Sequence, residues 1–231
     1  MSAVLGLQKL TLLDFPGHTA CTLFTGGCNF ICPFCQNSRL VLAPDTVTPL
    51  DEEEIFSFLK KRAGLLDGVC ITGGEPLLDP AIEDLISRIR SLGYKIKLDT
   101  NGAYPDRLCR LVQKGLVDYV AMDLKNSPEH YGATVGIPHL DLTPIKESVR
   151  FLLSNPVEYE FRTTVVREFH QAADFITISL WISGASRYFL QEFIDSGELI
   201  QEGLHGYSKT EMENFLSLVR PRIPSAQIRG L

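Results

Sequence analysis

The chain has 231 residues, 45% of them hydrophobic, enough for a sizeable core without disulfide support. Its 22 Lys and Arg against 28 Asp and Glu give a net charge of -6, and no basic run offers the counterion-releasing surface that binds nucleic acid, so nucleic acid is not an expected partner. Residues 1–13 lack the positive stretch of an export signal and no apolar run approaches the roughly 20 residues of a membrane span, so a cytoplasmic protein without membrane contact is expected. The first expected strand, Ala20–Thr25, leads into Gly26-Gly27 and a cysteine-rich loop. Thr48-Pro49-Leu50-Asp51 then places an N-cap, a proline at the first helical position and an acid at N3 ahead of Ile55, Phe58 and Leu59 at helical spacing. A strand over 69–72 is followed by Asp79-Pro80, which repeats the device before Ile82, Leu85, Ile86 and Ile89, with Gly93 suited to the C′ position. Strands over 94–98 and 117–122 precede helices over 105–114 and 143–154. Strands over 157–166 and 187–193 follow, and a capping box at Ser208-Lys209-Thr210-Glu211 opens the last helix. Strands alternating with helices favour a parallel α/β sheet with right-handed crossovers, and six such units point to a partial barrel. Without a Gly/Ser/Pro linker or repeat, residues 1–231 are expected to form a single domain, with a core at about 15–195 and a C-terminal helical extension.

Six cysteines in a chain without an export signal are better explained by metal or catalysis than by bridges, and three of them lie within eight residues. Cys28-Asn29-Phe30-Ile31-Cys32-Pro33-Phe34-Cys35 has C-x3-C-x2-C spacing, which brings three thiolates from one loop to one cluster. A cubane has four irons, so three thiolates leave one iron open to a small molecule. The competing reading is a zinc site, whose fourth ligand would have to be Cys21 or His18, or plain core cysteines. Cys21 lies inside a strand, Cys70 in the apolar run Val69-Cys70-Ile71 and Cys109 in the helical stretch Leu108-Cys109-Arg110, and all three read as structural thiols.

The other polar clusters follow strands. Gly73-Gly74-Glu75-Pro76 closes the second strand, where the glycines allow close backbone approach and Glu75 anchors the loop. Asp99-Thr100-Asn101-Gly102 and Asp123-Leu124-Lys125 close the third and fourth. Each alone reads as turn chemistry or a surface ion pair. Together they occupy the carboxyl ends of successive parallel strands, where α/β folds collect functional residues. Arg162, inside a strand, requires a partner: a ligand, Glu160 or another strand-end acid.

With Phe34 ahead of its last cysteine and Gly73-Gly74-Glu75-Pro76 downstream, the Cys28, Cys32 and Cys35 loop resembles the radical S-adenosylmethionine (SAM) superfamily. Asp14-Phe15-Pro16-Gly17, Gly26-Gly27-Cys28-Asn29-Phe30, Asp99-Thr100-Asn101-Gly102 and Met122-Asp123-Leu124-Lys125 narrow the resemblance to the glycyl-radical-enzyme activating enzymes, above all the longer type of anaerobic ribonucleoside-triphosphate reductase activating protein. The likeness runs from about Leu7 through Val166. It implies a partial (β/α)6 TIM-like barrel of the radical SAM type and two cofactors, one 4Fe-4S cluster on Cys28, Cys32 and Cys35, and SAM. The implied activity is reductive cleavage of SAM to a 5′-deoxyadenosyl radical that takes hydrogen from a glycine of a partner, anaerobic ribonucleotide reductase. A flavodoxin- or ferredoxin-like protein would donate the electron. Carried over by residue, Phe34, Cys35 and Gln36 flank the nucleoside, and Gly74, beside Gly73, meets the methionyl ammonium. Asp123, Leu124 and Lys125 line the ligand, with Glu75 and Asn101 in the same strand-end clusters. Asp99 resembles an acid that serves a monovalent cation or the ligand, and Lys125 and Arg162 are the cations for the SAM carboxylate.

The chain departs from the pattern in three ways. Cys35-Gln36-Asn37 replaces the Cys-His-Asn of many activases. Phe15-Pro16-Gly17-His18 differs from the pyruvate formate-lyase activating branch. No cysteine-rich insert for additional clusters is present. Ile228-Arg229-Gly230-Leu231 reads as a tail. Two other functions remain open on the sequence: a radical enzyme acting on a small molecule such as a purine-like heterocycle, and a non-catalytic iron-sulfur or zinc module.

Overall fold

The computed structural model describes residues 4–230. Eight strands form one sheet in chain order. β1 (Val4–Thr11) pairs antiparallel with β2 (Ala20–Thr25). From β2 onward all neighbours are parallel: β3 (Gly68–Gly73), β4 (Lys95–Thr100), β5 (Tyr119–Asp123), β6 (Glu158–Val165), β7 (Tyr188–Glu192) and β8 (Gln227–Arg229). This is the expected α/β architecture of a parallel, partly closed barrel. Two strands were not anticipated. β1 lies in a segment read only for export signals, and β8 occupies part of the presumed tail, where Arg229 forms a bidentate pair with the buried Glu160 (2.8 and 3.0 Å). Leu231 lies outside the described residues.

Helices α2 (Glu52–Arg62), α3 (Ile82–Ser91), α4 (Pro105–Gln113) and α6 (Thr143–Leu153) cover the sheet with apolar stripes, those of α2 and α3 being the ones read from the sequence; Leu59, Ile86, Ile89, Leu108 and Leu152 are fully buried. α2 begins later than Thr48 because residues before it are extended against β1: Leu50 N–H donates to Val4 O (2.8 Å), so the cap passes to Asp51, which accepts from Glu53 N. Asp79 likewise does not cap α3 directly; its carboxylate takes the Ala81 N–H (2.8 Å) and the helix starts at Ile82. α7 (Ala172–Trp181) escaped notice because its capping box is built from Gln171 and Asp174 rather than Ser/Thr and Glu. α8 (Lys209–Val219) carries the expected box at Ser208 and Glu211. Two short helices, α1 (Ser38–Leu42) and α5 (Tyr131–Thr134), lie on the carboxyl-end face.

The amino end of the barrel is plugged. Phe15 is buried beside Tyr119 (ring centroids 6.0 Å apart) and over Gly68, where a Cβ would meet its ring at 2.7 Å. With one end filled, access to the interior is from the carboxyl ends of the strands.

Candidate active site

At that end the strands open into a cavity of about 830 Å3, counting space continuous with solvent. The loop after β2 contributes Cys28, Phe30, Cys32, Phe34, Cys35, Gln36 and Asn37 to its lining, β3 contributes Thr72 and Gly73 with Gly74 beyond it, and β4 contributes Asp99, Thr100 and then Asn101. β5 supplies Asp123 and, just beyond it, Lys125; β6 supplies Thr164.

The cysteine loop is tied on three sides. Ile31 N–H donates to Val135 O beside α5 (3.0 Å), Asn37 Nδ2 to Gly73 O (2.9 Å), and Gln36 Nε2 to Ile194 O (2.8 Å). Inside the loop Cys35 N–H donates to Cys32 O (2.9 Å), and Phe30, whose ring packs edge-on to Tyr131, is buried. Gly74 passes so close to the loop that a Cβ there would lie 1.8 Å from Gly27 O. The glycine pair is therefore a requirement of backbone contact, and Gly73 adds a positive φ of 126°.

Burial pushes the Cys28 thiol up to about 11, that of Cys32 up to about 12, and raises Cys35, against the pull of Lys125. Without a metal to displace them, these protons stay on sulfur at neutral pH. Among the described residues no three His, Cys, Asp or Glu side chains converge on a single ion, as a zinc site would need. Cys28, Cys32 and Cys35 all line the cavity, and in a cubane each sulfur takes its own iron. Cys21, Cys70 and Cys109 do not line the cavity, so no fourth cysteine is offered.

Glu75 faces inward, away from the cavity. Its carboxylate accepts from Leu77 N (3.0 Å), Thr100 Oγ1 (2.8 Å) and Asn101 N (2.6 Å), which locks the ends of β3 and β4 together. Burial pushes it up to about 7, partly offset by those donors. Asn101 in turn donates to Asn29 Oδ1 (2.8 Å) in the cysteine loop.

A chain of ion pairs forms the cavity floor. Lys97 bonds Asp99; Arg162 spans Asp99 (3.3 Å) and Asp123 (2.9 Å); Lys125 reaches Asp123 (2.9 Å). Arg162 and Lys125 hold Asp123 well below the usual carboxylate range, although burial pulls the other way, and Asp123 raises both cations. Arg162 is thus committed to two strand-end acids and lies behind the lining, whereas Lys125 is in it. Leu124 is fully buried; its N–H donates to Arg162 O (2.7 Å) and it too lies behind the wall. Of the residues singled out from the sequence, Phe34, Cys35, Gln36, Gly73, Gly74, Asp99, Asn101, Asp123 and Lys125 share the cavity with Cys28 and Cys32. The reading missed Phe30, Asn37, Val41, Thr72, Thr100 and Thr164. Thr164 was accessible to reasoning, since it lies two residues beyond Arg162 on the same face of β6.

Residues 22–176 match the Radical SAM superfamily, and the chain belongs to it. A protein of Methanocaldococcus jannaschii provisionally named a glycyl-radical enzyme activating enzyme is 30% identical over 195 residues, 82% of this chain and 79% of that protein. The 7-carboxy-7-deazaguanine synthase of Methanopyrus kandleri is 29% identical over 197 residues, 77% and 74% of the two chains. A domain of a pyruvate-formate lyase-activating enzyme from Bacteroides vulgatus shares the fold at a TM-score of 0.58 and 17% identity, over 71% of this chain and 99% of that one. Streptococcus suis SuiB does so at 0.68 and 13%, over 88% and 48%. The cofactors of the superfamily are a 4Fe-4S cluster and SAM, and this is a radical SAM enzyme. The three-thiol wall without a fourth cysteine fits a cluster with one open iron. No helix among the described residues is long and apolar enough to cross a membrane.

Proposed function

We propose that this enzyme makes a glycyl radical on a partner enzyme, anaerobic ribonucleotide reductase being the favoured one, with a flavodoxin- or ferredoxin-like reductant. When bound, the cluster and SAM supply one-electron cleavage of the sulfonium and a 5′-deoxyadenosyl radical. The chain's own share is to hold and orient. Cys28, Cys32 and Cys35 carry the cluster; Phe34, Cys35 and Gln36 flank the nucleoside; Gly73 and Gly74 bring the backbone against the methionyl end. Lys125 meets the carboxylate, Asp99, Asn101 and Asp123 take the ammonium and hydroxyls, and Glu75, Leu124 and Arg162 position these groups from behind. The described residues act as one domain in this reading, because strands of a single sheet and the segments that follow them line the cavity.

The observation that carries the choice of a protein substrate is the cavity mouth. Ile31, Leu42, Leu78 and Ile194 stand 36% to 58% exposed beside residues of the lining or the loop that bears them. Exposed apolar side chains beside an active site offer a protein partner surface to bury. A small-molecule reaction, in keeping with the deazaguanine synthase relative, does not require them. Anaerobic incubation of reconstituted protein with SAM, dithionite and a glycyl-radical enzyme is expected to yield the glycyl radical doublet by electron paramagnetic resonance. Turnover of a purine-like heterocycle without any partner would reverse the choice, and absence of 5′-deoxyadenosine under all conditions would leave only a non-catalytic module.

A further inference from the structure

Between β7 and α8 the chain crosses the carboxyl-end face as a strap over residues 193–206. The strap is pinned to the cysteine loop by the Gln36 bond to Ile194 O and by Gln201 N–H donating to Pro33 O (2.9 Å). Its far end is held by Glu168, which accepts from His205 N (3.0 Å) and contacts His205 Nδ1 (2.8 Å). The stretch between these anchors carries Asp195, Glu198 and Glu202, all exposed, within eight positions. None of the three has an ion pair among the described residues; Asp195 only closes a turn by accepting Gly197 N–H (2.8 Å). On α1, three positions beyond Gln36 and three before Leu42, Arg39 is exposed.

Three like charges within eight positions repel one another, and beyond the one turn bond of Asp195 they form no ion pair that would hold the strap. They lie on a strap tied to the cysteine loop at Gln36 and Pro33, where their charge disfavours an anionic partner. An apolar collar gives burial without direction, whereas charge complementarity sets register and association rate.

We propose that collar and strap together dock a polypeptide segment of the partner that carries apolar side chains next to lysine or arginine, its basic side chains over Asp195, Glu198 and Glu202. This rests on the reading of the site as one that acts on a protein glycine.

The test uses two fluorescein-labelled peptides of equal length, each with a Cα-dideuterated glycine between leucines, one flanked by lysines and the other by glutamates. Anisotropy with reconstituted holoprotein and SAM at low salt is expected to give about tenfold tighter binding of the lysine peptide. The gap should close at about 0.5 M salt. It should close also in the triple variant Asp195→Asn, Glu198→Gln, Glu202→Gln, which keeps the acceptor for Gly197, and persist in Glu213→Gln on the outer face of α8. Equal binding of the two peptides, or a gap unchanged in the triple variant, overturns the docking proposal. Deuterium transfer to 5′-deoxyadenosine reports separately on the reaction: a tenfold gap without transfer would leave the docking surface standing and overturn the glycine as substrate.

Discussion

Replacing Gly74 by alanine adds a carbon 1.8 Å from Gly27 O and 2.6 Å from its carbonyl carbon. An ordinary C···O contact needs about 3.3 Å, so the strand end and the cysteine loop must part by about 1.5 Å. The obstacle is backbone on both sides, so no rotamer change relieves it. Two hydrogen bonds hold this junction, Glu75 N–H to Gly27 O (2.8 Å) and Gly74 N–H to Thr25 O (3.0 Å), and the displacement weakens both. Overpacking and the loss of about one net hydrogen bond together cost about 2–4 kcal/mol. Cys28 follows Gly27 directly and moves with it, by far more than the roughly 0.2 Å tolerance of a metal–ligand bond. The expected outcome is a lower urea midpoint and a large loss of iron per chain after anaerobic reconstitution. Gly93→Ala is the control: it also destabilises, since its φ is 91°, but a Cβ there meets nothing within 4 Å, and iron content should be unchanged. Wild-type iron and midpoint in Gly74→Ala would refute the argument that this glycine exists for close approach.

Cys28→Ala, Cys32→Ala and Cys35→Ala should each abolish the charge-transfer absorbance of the reconstituted cluster, while Cys70→Ala, whose thiol lies away from the cavity, should leave it intact. Arg162→Met removes the shared partner of two half-buried acids and should destabilise by about 1–3 kcal/mol in urea unfolding, more than either Asp99→Asn or Asp123→Asn combined with it. Glu75 is raised from 4.5 to about 7, so the folded state binds its proton more tightly than the unfolded one. Its contribution is then full below about pH 4.5 and is lost as pH rises through about 7, a change of about 3 kcal/mol. The stability difference between wild type and Glu75→Gln should move by that amount against the wild type between pH 4.5 and 8; a pH-independent difference would contradict a raised carboxyl.

Local signals carried much of the fold and the site's ligand set. The spacing of Cys28, Cys32 and Cys35 needs only one loop, the apolar stripes of α2 and α3 need only the 3.6-residue period, and the strand-end clusters were readable because parallel strands place their carboxyl ends on one face. Pairing partners were beyond that reach, since hydrogen bonds and ion pairs join residues far apart in sequence. Leu50 is kept out of α2 by Val4, Gln201 reaches Pro33, and Arg229 reaches Glu160, which turns a presumed tail into β8. Composition located a cation at Arg162, but only the sheet register, which sets Asp123 level with Arg162 and brings Asp99 within reach, decided that two acids saturate it. The sequence by itself determined which atoms are available to hold iron and ligand; the tertiary structure decided which of them face the cavity, because burial forces every buried charge to find its partner inside the fold.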